Sequence, residues 1–232
     1  MSPGPARRLD AVLEPVIPLL GELIRAHPNT LSLAQGMVNW GPPPAVAQAL
    51  QAALQIPLTG LDRYGATYGD PALLELIAAK LRRQNGLDLA GAALLVTGGS
   101  NMAFQVIVQA ICEPGSEVIL PLPFYFNHVM AVQLAGGQPV AVAAGAFPDP
   151  QQLAAAITPR TRAIVTVSPN NPSGVVMPPG ARHRRSSFLP VIFWNTSSTR
   201  SSSPHIACWS KVSRWPFICT YCVRPSLRSP RK

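Results

Sequence analysis

ALLVTGGSNMAFQVIVQAI (93–111) is the stretch on which the fold turns. Ala93–Thr97 is a short apolar run of the kind that forms a buried strand, and Met102–Ile111 repeats apolar residues at helical spacing. Between them stands Gly98-Gly99-Ser100-Asn101. Glycines let a backbone come close to a ligand. The free N–H groups and dipole at a helix N-terminus favour a phosphate. A strand–Gly–Gly–Ser–helix turn also occurs with nothing bound, so the stretch alone leaves both readings open.

The same rhythm continues outward. The pattern predicts strands at Glu117–Leu120, Pro139–Val142 and Ala163–Val167, with helices at Phe126–Ala135 and Gln151–Ala156 between them. Strands alternating with helices imply a mostly parallel sheet covered on both faces. Ligands in such sheets bind beyond the carboxyl ends of the strands. Toward the N-terminus the pattern changes to helices, at 14–26, at 45–54 and after Asp70-Pro71. There Asp70 is a good N-cap, Pro71 suits the first turn, and Leu73, Leu74, Ile77, Ala78 and Leu81 share one face.

Charge divides the chain. Residues 1–180 carry 9 Lys+Arg and 10 Asp+Glu, whereas 181–232 carry 10 Lys+Arg and no acid. The net charge of +9 therefore belongs to the tail, and any inference of a nucleic-acid partner applies there alone. The tail has little apolar period, yet holds three Trp and three Cys. A disordered basic tail is one reading. Out-of-frame translation is the other. Reading Trp194–Arg200 two nucleotides later permits Glu-His-Leu-Val-Tyr-Glu among its options. His205-x-x-Cys208 and Cys219-x-x-Cys222 loosely meet zinc spacing, but the tail's context argues against a metal site. Its arginines form no helical stripe and no nucleic-acid motif. No segment reaches the roughly 18 consecutive apolar residues of a membrane span. Arg7 and Arg8 are followed by Asp10 and Glu14 rather than by an apolar leader, and Cys112 reads as a reduced core thiol, so the cytoplasm is the expected location.

Four blocks stand in order: SLAQGMVNWGPP (32–43), DRYGATYGDPALLELIAAKL (62–81), VTGGSNMAFQVI (96–107) and TVSPNNPSGVVMP (166–178). Together they resemble the first half of a class I/II aminotransferase, a fold-type-I enzyme that uses pyridoxal 5′-phosphate (PLP). The resemblance covers about residues 15–180. It implies an α/β fold: a three-layer α/β/α major domain, incomplete here, with the small domain largely missing. The organisation it suggests is an N-terminal arm at 1–44, a partial PLP-binding domain at 45–180 and a basic tail at 181–232.

The resemblance also implies roles. Backbone amides of Gly99, Ser100 and Asn101 would hold the PLP phosphate. Tyr125, in the run Pro121–His128, would stack on the pyridine ring, as flat rings do. Asn171, in Ser168-Pro169-Asn170-Asn171-Pro172-Ser173-Gly174, would donate its amide to the phenolic oxygen. Tyr64 would reach across a homodimer to the partner's phosphate, and Gly36 would lie near the substrate carboxylate. Each has a plainer reading: a core aromatic, an Asn-Pro turn, a surface Tyr in a Gly-rich turn. His128 reads as a structural histidine.

The reaction implied is transfer of an amino group between an amino acid and a 2-oxo acid. It needs an amine that bonds the cofactor aldehyde, a carboxylate opposite the pyridine nitrogen and an arginine for the substrate carboxylate. In the family all three lie downstream of the Asn-Pro-Ser-Gly motif. The last acidic residue here is Asp149, and Lys211 stands too early and in the wrong context. Lys80, alone among lysines before 181, is expected on the exposed side of a helix. The expectation is thus a family fold without the Schiff-base lysine, and a chain inactive by itself. Carbon–sulfur lyases and aminocyclopropane-carboxylate synthases share the same blocks, and a non-catalytic fragment is a further alternative.

Overall fold

The computed structural model describes residues 4–33, 40–56, 63–85, 89–90, 92–143, 145 and 148–176, with the backbone alone of 191–194, 208–209 and 217–219. The described residues divide into two compact units. One runs from Glu14 to Ala66, and the other holds the residues on either side of it.

The larger unit is built on a five-stranded sheet of order β3-β2-β4-β5-β6. Its strands are β2 (Glu117–Leu122), β3 (Gln138–Ala143), β4 (Thr161–Val167), β5 (Val191–Trp194) and β6 (Cys208–Trp209). Strands β2 to β5 are parallel, and β6 runs antiparallel at one edge. Strand β1 (Ala93–Leu95) pairs instead with β7 (Phe217–Cys219), again parallel, in a separate two-stranded sheet.

Helices α4 (Ser100–Ile111), α5 (Phe126–Leu134) and α6 (Pro150–Ala155) connect the strands. The chain steps from β2 outward to β3, then back across β2 to β4. With right-handed crossovers this reversal puts α5 and α6 on opposite faces of the sheet.

Strand alternation explains the core. Val118 and Leu120 of β2 and Ala163 and Val165 of β4 share one face. They pack with Phe104 and Val108 of α4 and Val129 and Val132 of α5. Ile119 and Ile164, pointing to the other face, are buried as well. Each large apolar side chain buried in this way contributes roughly 1.5–3 kcal/mol. Cys112 packs half-buried against this cluster, and burial pushes its thiol pKa up.

Glu117 is the charged residue that the N-terminal end of β2 buries. Its carboxylate accepts from the Thr158 hydroxyl and from Nε of Arg160 at 2.9 Å. These donors, Thr158 first and Arg160 next, hold its pKa below the ordinary value against the effect of burial. The network ties β2 to the start of β4 at the end of the sheet away from the strands' carboxyl termini.

Helix α3 (Pro71–Asn85) starts as its sequence predicts, with Asp70 Oδ1 accepting from the Leu73 N–H at 3.0 Å. It buries Ile77 and Leu81 beside Leu89, with partly buried Leu94 of β1 and its flanking Ala92 and Val96 packed against them. A short 3-10 turn, Arg7–Ala11, had no counterpart in the sequence, and neither did β5, β6 and β7, which lie in the basic tail expected to be disordered and pair there through backbone hydrogen bonds.

The smaller unit contains α1 (Val16–Ala26) and α2 (Pro44–Gln55). Both helices lie where periodicity predicts them. Among the described residues from 14 to 66, none is buried.

Candidate functional site

The turn after β1 opens α4. Gly99 stands at φ +119°, a conformation that side chains with a Cβ rarely adopt, and a Cβ there would meet no atom within 4 Å. Glycine is therefore required by the backbone, and the space beside it is open. The first bond of the helix runs from the Ala103 N–H to the Gly99 carbonyl at 3.1 Å, so the N–H groups of Ser100 and Asn101 precede the helical ladder. The Thr97 hydroxyl donates to the same carbonyl at 2.9 Å and fixes its direction. Helix α4 is 12 residues long, enough for an ordered dipole at this end. An open cradle of glycine and helix N-terminus suits the phosphate of a cofactor such as PLP.

A second loop meets this turn. The Val96 N–H donates to the Tyr68 carbonyl at 2.9 Å, and a Cβ on Gly69 (φ +120°) would come within 3.0 Å of the Val96 Cβ. Gly69 thus lets the Thr67–Asp70 loop lie against the strand end that leads into Gly98. The sequence showed a Gly-rich turn here but not what it touched.

Tyr125 follows β2 and immediately precedes α5. Its hydroxyl accepts from the Asn127 amide at 2.6 Å. Its ring meets His128 edge-on at 5.4 Å, and His128 in turn lies 4.2 Å from Phe104 of α4. Aromatic contacts therefore join the helix that begins at Ser100 to the helix that begins after Tyr125. His128 is buried, and desolvation lowers its pKa to about 4, so the imidazole is neutral at pH 7. Its place inside the packing fits the structural role expected of it.

The third loop follows β4. Asn170 is half-buried, and Asn171 beside it is exposed. The Asn170 amide donates to the Pro123 carbonyl at 3.0 Å and to the Ser173 hydroxyl at 2.8 Å. Gly174, at φ +71°, turns the chain so that its N–H reaches the Asn170 carbonyl at 2.7 Å. Since β2 and β4 are adjacent and parallel, the loops that carry Tyr125 and Asn171 leave from the same end of the sheet. Beside them opens a mainly apolar cleft lined by residues including Leu122, Phe124, Val167, Asn170 and Val175. None of the residues assigned to the cofactor lines it.

Other sequence-based candidates fare differently. Tyr64 is fully exposed. Gly36 lies outside the described residues, as do the side chains of the possible zinc ligands. Lys80, expected on the exposed side of its helix, is half-buried on α3. Thr97, Asn127 and Asn170 stood in the motifs without a role. Their hydrogen-bond partners are visible only in the fold. Among the described residues no group of three His, Cys, Asp or Glu side chains could hold a metal ion, and no helix is long and apolar enough to cross a membrane.

Comparison with known proteins agrees with this geometry. Residues 28–181 match the family model described as aminotransferase class I and II. A probable aspartate/prephenate aminotransferase of Thermus aquaticus is 40% identical over 161 residues, spanning 68% of this chain and 41% of that protein. The aromatic aminotransferase ISS1 of Arabidopsis thaliana is 32% identical over 171 residues, 71% of this chain and 42% of its own. The chain thus spans about four-tenths of the length of these relatives. Among solved structures, aspartate aminotransferase from Thermus thermophilus with maleate superposes with a TM-score of 0.69 at 32% identity, over 82% of this chain and 53% of that one. Aspartate aminotransferase from Rhizobium meliloti gives a TM-score of 0.72 at 26% identity, over 87% and 55%. A match across that much of the sequence, on a parallel sheet that carries its loops at the expected strand ends, means that this chain belongs to the class I and II aminotransferases.

Proposed function

We propose that this chain supplies the phosphate- and ring-binding half of a PLP-dependent aminotransferase site. The reaction would move an amino group between an amino acid and a 2-oxo acid in the cytoplasm. The observation that carries the reading is that contacts join helix α4, which the Gly98–Asn101 turn opens, to the loop after β2, and that loop to the one after β4: Phe104 to His128 to Tyr125, and Pro123 to Asn170.

In this reading the amides of Gly99, Ser100 and Asn101 hold the phosphate, helped by the α4 dipole. Thr97 keeps the Gly99 carbonyl turned away into its own hydrogen bonds. Tyr125 offers a flat face to the pyridine ring, and Asn127 limits the rotation of its hydroxyl end. Asn171 donates its neutral amide to the phenolic oxygen. Bound PLP would supply an electron sink for the substrate carbon. Tyr64, exposed on its own chain, would reach the phosphate of a second copy in a homodimer, and Gly36 would lie near the substrate carboxylate. The aspartate/prephenate relatives make aspartate the first amino acid to test.

The same reading makes this chain inactive by itself. Residues 150–232 contain no Asp or Glu to face the pyridine nitrogen, and Lys211 does not stand in the family's lysine context. PLP would then bind without a covalent bond.

The test is a PLP titration of the purified chain, followed by borohydride reduction and mass spectrometry. Saturable binding that Gly99→Val abolishes, with no reduced adduct and no transamination of aspartate, is the expected result. Absence of saturable PLP binding would sink the cofactor reading. A stoichiometric adduct at Lys211 would overturn the non-covalent part.

A further inference from the structure

Asn170 occupies an unusual place among the polar residues of the site. Its side-chain amide reaches across to the loop that follows β2, donating to the Pro123 carbonyl at 3.0 Å, while also donating to Ser173 at 2.8 Å. Its own backbone closes the loop that follows β4. The N–H donates to the Val175 carbonyl at 2.8 Å, and the carbonyl accepts from the Gly174 N–H at 2.7 Å. One residue therefore holds its loop in shape and fastens that loop to the neighbouring one. The positions it joins are directly informative: Pro123 lies two residues before Tyr125, and Asn171 is the next residue.

We propose that Asn170 is a positioning residue that sets the gap between the Tyr125 ring and the Asn171 amide, and so the slot into which a pyridine ring fits. This rests on the cofactor reading given above and adds to it the residue that fixes the slot. The chemistry requires an amide at 170. Both side-chain bonds use N–H donors, and both acceptors, a backbone carbonyl and a hydroxyl oxygen, sit on separate loops. An Asp of the same shape has only acceptor oxygens when ionised. It would face the Pro123 carbonyl with like partial charge, leaving the two loops untied. The phosphate cradle at Gly99–Asn101 is held by other bonds, from Thr97 and within α4. Ring binding and phosphate binding should therefore separate when Asn170 changes.

The experiment compares the full chain with its Asn170→Asp and Asn170→Ser variants. It uses two probes, pyridoxamine 5′-phosphate and inorganic phosphate, and follows thermal unfolding beside them. Pyridoxamine 5′-phosphate has the ring but no aldehyde, so surface amines do not trap it. The expected result is a loss of at least about tenfold in affinity for pyridoxamine 5′-phosphate, with phosphate affinity within about twofold of the parent. Equal loss for both probes, in step with a lowered unfolding temperature, would overturn the proposal and leave Asn170 a purely structural residue. Unchanged binding of both probes would overturn it as well. Failure of both variants to fold would assign Asn170 to folding alone, again overturning it. If the parent chain binds neither probe, the cofactor reading itself fails and the positioning role falls with it. If the parent binds both and the variants lose neither, only the role of Asn170 fails.

Discussion

Helices α1 and α4 have nearly the same length, 11 and 12 residues, and both are largely apolar. Yet α4 buries Ala103, Phe104 and Val108, whereas α1 buries nothing. The difference lies outside the helices. Helix α4 follows a strand and returns onto a sheet whose Val118, Leu120 and Val165 present a matching apolar face. Helix α1 has a well-formed apolar stripe, including Leu19 and Leu23, that meets no such surface within its own unit. Amphipathicity makes a helix ready to be buried; a partner surface decides whether it is.

The largest expected effect tests the buried side of this comparison. Phe104→Ala removes a ring that is 1% exposed and touches His128. Urea unfolding should show a loss of about 3–5 kcal/mol. A loss below about 1 kcal/mol would mean that the α4 face is not a packed core.

Next comes pH. His128 has a folded pKa of about 4 against an ordinary 6.5, so between these values the unfolded chain binds the extra proton. Stability should therefore rise with pH across that window and be lost on acidification. At about 1.36 kcal/mol per pKa unit, the total is on the order of 3 kcal/mol. His128→Phe should flatten the urea midpoint between pH 4 and 6.5. A variant that keeps the full slope would show that the slope belongs to other groups.

Gly99→Ala forces a Cβ into a strained backbone at φ +119°, though into open space. A cost of about 1–3 kcal/mol is expected, with PLP affinity reduced more than stability. Unaltered PLP binding would separate this glycine from the cofactor.

Glu117→Gln should have a smaller effect, because Arg160 remains largely exposed to solvent and the pair is screened. The folded pKa of Glu117 lies below its ordinary value of 4.5, so its contribution is present above that value and fades as pH falls through the lower folded value. Parent and variant should differ at pH 6 and draw together as the pH is lowered below 4.5. A gap that widens on acidification would contradict the sign.

The smallest effect belongs to the other side of the comparison. Leu19→Ala on α1 should change the stability of the isolated chain by no more than about 0.5 kcal/mol. A cost of 2 kcal/mol or more, on the order of a core truncation, would mean that the exposed stripe is covered in solution. If that cost rose with protein concentration, it would identify a second copy as the cover.

Much of the larger unit was legible in the sequence because its signals are local. Alternation and helical spacing placed β2, α5, β3, α6 and β4 within one or two residues, and Asp70 caps α3 as its position before Pro71 predicts. The motif glycines were legible for the same reason, since a positive φ at Gly99 or Gly174 is a property of the turn itself. What was not legible depends on distant partners. No local signal says that Asn170 reaches Pro123, that Gly69 lies against Val96, or that Lys80 is half-buried on a packed helix.

The sequence by itself determined the order of strands and helices as far as β4, the parallel sense of β2, β3 and β4, and the ends of the strands from which the motif loops leave. Periodicity and turn chemistry act over a few residues, so these follow from the chain alone. Only the tertiary structure decided which apolar stripes find a partner, which asparagine ties two loops together and why His128 stays uncharged. Those outcomes depend on burial and on hydrogen bonds between residues far apart in sequence, which exist only once the strands have come side by side.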